Sequence, residues 1–285
     1  MEDSLERRFG EDLERRFGGL ARLYGDAAYS RLRGLSLAVV GLGGVGSWAA
    51  EALARHGVAR LVLVDLDHVA ASNINRQIQA TTLTLGQSKA LALQERIALI
   101  HPGCEVHAVE EFVEDGNWPG LLPCPVDGVI DACDQVHAKT ALAVWARDSG
   151  TPLVCVGAAG GKRQPQRVAV DDLAHTTHDP LLASLRQRLR QRHGFAKGGA
   201  SGGKAARVRP MGVQCVYSTE TVALPPVAQC ETSPSETADV AASLNALQSA
   251  PQGLNCHGYG STVTVTATFG LVAAAALIDM TIKKV

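Results

Sequence analysis

Four glycines, Gly41, Gly43, Gly44 and Gly46, stand in the run GLGGVGS (Gly41–Ser47), between a short apolar run, Leu37–Val40, and helical spacing over Val45–His56. Glycines let a backbone approach a phosphate closely. A helix start adds free N–H groups and the positive end of its dipole. Asp65 ends the next apolar run, Leu61–Val64, 19 residues beyond Gly46, where an acid takes ribose hydroxyls. Taken alone, these features describe a dinucleotide site with NAD as the default ligand. A glycine turn that binds nothing is the plainer alternative.

The residues that follow shift the expectation to a triphosphate. Asp67 comes in VDLDHV, Asn73, Asn75, Arg76 and Gln77 in SNINRQ, and Lys89 in GQSKA. A nicotinamide pocket needs no Arg and Lys this close together. A triphosphate does, because its charge must be neutralised while the α-phosphorus is attacked. Asp131 and Asp134, in VIDACDQ, are carboxylates at and just past a strand end. They suit Mg²⁺, which bridges phosphate oxygens and keeps several waters. Either could instead cap the helix that begins near Gln135.

Positioning these groups takes an alternation of strands and helices. Apolar runs at Leu37–Val40, Leu61–Val64, Val126–Ile130, Leu153–Val156 and Val213–Ser218 read as strands. Helical spacing fills Val45–His56, Leu83–Ile100, Lys139–Arg147 and Pro180–His193. The pattern predicts an α/β fold: a doubly wound, mainly parallel Rossmann-like sheet with a C-terminal helical and strand extension. Ligands in such sheets sit at the carboxyl ends of strands, here Gly41, Asp65, Asp131 and Gly157. We expect one domain over residues 1–285. Its nucleotide-binding core is 16–175, and 176–285 holds a basic arm, flexible loops and a closing helix. LERRFG occurs twice, at Leu5–Gly10 and Leu13–Gly18, and the first copy reads as an extension.

The net charge of −1 hides an asymmetry: no acidic residue lies between Asp179 and Glu220, where Arg186, Arg188, Arg190, Arg192, Lys197, Lys204, Arg207 and Arg209 cluster. Such a block fits a polyanionic partner. Seven scattered cysteines with no C-x-x-C pair, and no signal-like N-terminus, predict a cytoplasmic protein with reduced thiols and no structural zinc. Val263–Ile278 is uncharged but only sixteen residues long. It is expected to be a buried or interface helix rather than a stable membrane insertion.

The segments GLGGVGS, LVDLDHVAASNINRQ, GQSKA and DACDQ together resemble the ubiquitin-activating superfamily of adenylating enzymes. That resemblance implies ATP with Mg²⁺ rather than NAD. It assigns Asp65 to ribose, Asn73, Arg76 and Lys89 to the phosphates, and Asp134 to Mg²⁺. It also implies a homodimer, with an arginine of RFGGLARLYG, Arg16 or Arg22, reaching into the partner's site.

Within that superfamily, RFGGLARLYG, NRQIQA, the HDP of His178–Pro180, VYSTE (Val216–Glu220) and TVTATFGLV (Thr264–Val272) are similar to the tRNA threonylcarbamoyladenosine dehydratases. The implied reaction adenylates the threonine carboxylate of the modified nucleoside beside the anticodon. A hydantoin ring then closes with net loss of water. The basic block, Arg186–Arg209, would hold the tRNA anticodon stem-loop. The alternative is an adenylyltransferase that activates the C-terminus of a ubiquitin-like sulfur carrier. A cysteine desulfurase or sulfur acceptor is a further expected partner, and Cys256 or Cys215 a candidate relay thiol.

Overall fold

The structure is a computed structural model that describes residues 12–196, 209–223 and 259–283. Two short helices, α1 (Gly19–Tyr24) and α2 (Asp26–Gly34), lead into β1 (Ser36–Val40). There follow α3 (Gly46–Arg55), β2 (Arg60–Val64), α4 (Lys89–Ile100), β3 (Glu105–Val109), β4 (Gly128–Asp131), α5 (Val136–Ser149) and β5 (Leu153–Val156). The remainder is β6 (Val168–Asp172), α6 (Pro180–Arg192), β7 (Gln214–Ser218) and α7 (Val263–Ile282).

The strands form one sheet in the order β3-β2-β1-β4-β5-β7-β6. Every pair is parallel except the edge pair β6 and β7. The chain order reverses between β1 and β4, so a crevice opens over the ends of these two strands. That is where a doubly wound sheet binds its ligand.

Alternation along β1 assigns its side chains to two cores. Leu37 and Val39 pack with Leu53 of α3, Ile97 of α4 and Phe269 and Leu277 of α7. Ala38 and Val40 pack on the other face with Leu142 of α5 and Leu182, Leu185 and Leu189 of α6. The apolar α7 is therefore a core helix. Its Val265, Phe269, Ala273, Ala274, Leu277 and Ile278 are fully buried, and it packs most extensively on α3.

Three expectations need correction. The helix predicted from Leu83 starts at Lys89, because Gly86 takes φ +82° and turns the chain first. The edge strands β3 and β6 were not expected; both are half-buried and polar, so they lack a strong apolar run. The predicted basic helix exists as α6, but it is not a free-standing cationic rod. Arg186 Nη1 donates to the Leu173 and Thr176 carbonyls (3.0 and 2.9 Å), and Arg190 Nε donates to the Ala196 carbonyl (3.1 Å). Arg188 lies 3.6 Å from Asp115. Arginines at every second helical position point to several faces, so most meet the body of the protein. Arg192 and Arg209 remain exposed. Lys197, Lys204, Arg207, Cys256 and the segment Pro225–Gly258 lie outside the described residues.

Candidate active site

The glycine turn links β1 to α3, and its glycines differ in what surrounds them. Gly41 has φ +84°, and a Cβ there would lie 2.8 Å from the backbone of Ala132 and Cys133. At Gly46 a Cβ would fall 1.8 Å from the Gly41 carbonyl. These two positions make the turn tight and press it against the DACDQ segment after β4. A Cβ at Gly43, by contrast, would meet nothing within 4 Å, leaving the backbone open to a ligand.

Asp65 ends β2 beside this turn. Its Oδ2 accepts from the Leu42 amide (2.6 Å) and its Oδ1 from the Asp67 amide (2.9 Å). Burial raises its pKa above the usual carboxylate range, against the opposing pull of Lys89. Lys89 starts α4 as a buried side chain, with Nζ 2.6 Å from Asp67 Oδ2 and 3.9 Å from Asp65 Oδ1.

Asn73 is buried and its Oδ1 accepts from the Ala70 amide (3.0 Å), which fixes the short 3₁₀ turn Ala71–Asn73. Arg76 follows, its carbonyl held by Trp48 Nε1 (3.0 Å) and its guanidinium by the Ser72 carbonyl (2.7 Å) and Asn75 Oδ1 (3.0 Å). Partial burial lowers its pKa. Gln77 is buried beside Gln79, whose Nε2 donates to the Leu42 carbonyl (2.9 Å) and thereby supports the glycine turn from below.

These residues converge. Gly41, Gly43, Gly44, Asp65, Asp67, Asn73, Arg76, Gln77, Lys89 and Asp134 all line one cavity of about 250 Å³. The structure adds Glu111, Phe112 and Val113, on the loop after β3, to its wall. Their only sequence signal was a modest strand, EVHAV, just ahead of them. Gly46 sits behind the turn rather than in the cavity. A second, smaller cavity shares Gly43, Gly44, Arg76, Cys133 and Asp134 and continues to Gly157–Gly160, Ser261 and Thr266. The glycine turn and Asp134 thus form a wall common to both.

The two carboxylates of DACDQ have different fates. Asp131 is fully buried, and its Oδ1 accepts from Lys139 Nζ (3.1 Å) and from the Cys133 thiol (2.8 Å). Its Oδ2 accepts from the Cys155 thiol (3.2 Å). Asp131 is therefore not available to a cation in the cavity. Nor does it cap α5, whose N-cap is Gln135, without a capping side chain. Asp134 keeps its place on the cavity wall.

Arg16 and Arg22 do not join this cavity. Arg16 bonds Asp12 (2.8 Å) and the Ile100 carbonyl (3.0 Å), and Arg22 is exposed on α1. The five described cysteines are free thiols. Cys215 is a buried core residue whose Sγ contacts the Val213 carbonyl (3.6 Å), so the relay role considered for it has no accessible sulfur.

Residues 16–284 match the ThiF family. The chain is 42% identical over 259 residues to the tRNA threonylcarbamoyladenosine dehydratase of Escherichia coli K12, covering 90% of each protein. It is 35% identical over 276 residues to that of Haemophilus influenzae, covering 96% of each. Crystal structures of the E. coli protein with ATP and with AMP superpose with a TM-score of 0.77 at 38% identity, over 95% of both chains.

Proposed function

The chain belongs to the ThiF family, and from that membership we propose its function: ATP-dependent dehydration of threonylcarbamoyladenosine in tRNA, through an acyl-adenylate, to the cyclic hydantoin form. The observation that carries it is a cavity at the sheet's reversal point that gathers a glycine turn, a ribose-type acid, two cationic side chains and, beside the turn, the carboxylate of Asp134. Relatives carrying this activity in their names align along nearly the whole chain.

In this reading ATP lies over the glycine turn. Its ribose hydroxyls meet Asp65, and its base lies toward Phe112 and Val113. Asn73, Gln77, Arg76 and Lys89 surround the phosphates. Lys89 exchanges its contact with Asp67 for phosphate oxygens. The threonine carboxylate enters along the smaller cavity, and one of its oxygens attacks the α-phosphorus. Pyrophosphate leaves as Arg76 and Lys89 offset its charge. The carbamoyl nitrogen then attacks the acyl carbon, loses its proton, and AMP departs with the carboxylate oxygen. The nucleoside is left lighter by one water. Proximity supplies much of this second step, on the order of 7–11 kcal/mol at best, so no protein nucleophile is required, and Cys256→Ser should retain at least part of the activity.

Among the described residues no group of three or more His, Cys, Asp or Glu could hold a metal by itself. A single carboxylate at the phosphate wall suits Mg²⁺, which takes most of its ligands from phosphates and water. Asp134 would hold it, where it would neutralise the triphosphate.

We further propose a homodimer. The support is that Arg16 and Arg22 stand outside their own cavity while Leu23 (74% exposed) and Leu271 (51% exposed) present apolar surface. The tRNA would meet Arg192, Arg209 and the basic segment between them. We place the reaction in the cytoplasm, where scattered cysteines stay reduced.

The test combines purified protein, Mg–ATP and tRNA bearing the threonylcarbamoyl group, without a sulfur donor. AMP, pyrophosphate and a nucleoside lighter by one water are expected. An unchanged nucleoside together with an adenylated carrier-protein C-terminus would overturn the reading.

A further inference from the structure

Among the described residues, Lys139 and Lys162 are the two largest side chains that are fully or almost fully buried, at 0% and 2% exposure. Neither has a part in the chemistry described above. Lys139, on α5, reaches back under the cavity wall. Its Nζ donates to Asp131 Oδ1 (3.1 Å), the Asp131 carbonyl (3.3 Å) and the Val156 carbonyl (2.7 Å), and lies 3.7 Å from Cys155 Sγ. One ammonium thus ties the carboxyl ends of β4 and β5 together. These ends launch the Asp134 turn and the Gly157–Gly160 loop, which flank the smaller cavity.

The tie continues upward. Asp131 Oδ1 also accepts from the Cys133 amide (3.3 Å) and thiol (2.8 Å). The turn Ala132–Cys133–Asp134 therefore hangs from the carboxylate that Lys139 holds. The Ala132 and Cys133 backbone packs against Gly41 so closely that a methyl group there would not fit. A rigid path of three contacts links Lys139 to Asp134 and to the glycine turn. An unpaired charge this deep would be strongly unfavourable, so the pair persists only if both members are present. Burial alone would discharge Lys139, but Asp131 more than offsets it and keeps the ammonium charged.

We propose that Lys139, acting through Asp131, is a positioning residue that sets the Asp134 carboxylate at the phosphate wall for the Mg²⁺-bound nucleotide. This inference rests on the proposed function for the identity of the nucleotide, but it is read from nucleotide binding rather than from product. The test uses two variants of the full-length protein. Asp131→Asn keeps one acceptor oxygen, for Lys139 and the Cys133 thiol, gives up the one that faces the Cys155 thiol, and lets burial discharge Lys139. Asp131→Asn combined with Lys139→Met removes both charges together, so neither is left unpaired. Calorimetric ATP titrations with and without Mg²⁺, and melting temperatures, are recorded for each.

ATP affinity without Mg²⁺ is expected to stay within about threefold of wild type, while the tightening that Mg²⁺ gives the wild-type protein falls by about tenfold (1.4 kcal/mol per decade). Whichever of the two variants folds carries the test. Wild-type Mg²⁺ tightening in any folded variant would overturn the proposal and leave Lys139 as a stabilising strut. Wild-type protein that binds Mg–ATP but leaves the tRNA nucleoside unchanged would count against the proposed function and not against this positioning role.

Discussion

The two ends of the sheet use charge in opposite ways. Over β1, β2 and β4, the ionisable side chains of Asp65, Asp67, Arg76, Lys89 and Asp134 line an open cavity. Over β5 and β7 they turn inward to the backbone. Lys162 Nζ donates to the His178 carbonyl (3.0 Å) and to the Glu220 carbonyl. The Glu220 carboxylate accepts from the Arg163 and Gln164 amides, and Asp179 from the Ala158 and Leu182 amides. Burial lowers the pKa of Lys162 and raises that of Asp179. The connections here, Gly157–Gln164 and Leu173–Asp179, are irregular, so their backbone groups lack ladder partners and must find side chains. Charged residues near a site are thus evidence of chemistry when they line open space, not merely when they are present.

The sharpest way to break this contrast is at Asp134. Asp134→Asn should cut acyl-adenylate formation by about 100- to 1000-fold, the scale seen when one charge-stabilising group is lost, with the melting temperature unchanged. Pyrophosphate release reports the first and a thermal melt the second. A large drop in stability would put Asp134 with the inward-turned group.

Arg186 should behave the other way. Arg186→Met strands the Thr176 carbonyl, leaves that of Leu173 with only the Thr176 hydroxyl, and should cost about 1–3 kcal/mol in denaturant unfolding, leaving ATP affinity intact. Arg192→Met should leave stability unchanged and weaken tRNA binding with a flatter salt dependence.

Within the glycine turn, Gly43→Ala has room in the protein and should not lower the melting temperature. It should weaken ATP binding by about tenfold, or 1.4 kcal/mol, because its methyl group occupies the space meant for a phosphate.

The smallest effect concerns pH. Asp65 has a raised pKa in the folded protein, so on acidification it takes up its proton earlier than an ordinary carboxylate. Protonation there costs the folded state nothing, because for this group it is the charged form that burial disfavours. ATP affinity should therefore decline first as the pH falls through this range, with no loss of stability attributable to Asp65. The pH dependence of ATP binding should be flatter in Asp65→Asn, measured by calorimetry at several pH values.

Much of the nucleotide end was legible because its signals are local. Turn glycines, the acid after the second strand and the Arg and Lys that follow lie within fifty residues of chain, and the backbone geometry there depends on the residues themselves. The inward-turned groups were not legible for the same reason. Lys139 sits eight positions after Asp131, a spacing that reads as an ordinary helix face, and only the packing of β5 shows that this face is sealed. Arg186 and Arg188 read as solvent-facing cations because nothing in their neighbourhood announces that Leu173, Thr176 and Asp115 lie opposite. Asp131 and Asp134 looked interchangeable from sequence. Burial, which sequence does not encode locally, separates them.

The packing of α7 on α3 also has a bearing on synthesis. The helix that begins at the phosphate turn leaves the ribosome long before its principal covering, which lies far along the chain. Until α7 emerges, α3 has only the sheet and α4 to pack on, and part of its apolar side stays exposed on the nascent chain. Such long-range closure slows folding and invites holding by chaperones. The glycine turn would then become competent for nucleotide only after α7 has been made and docked on α3.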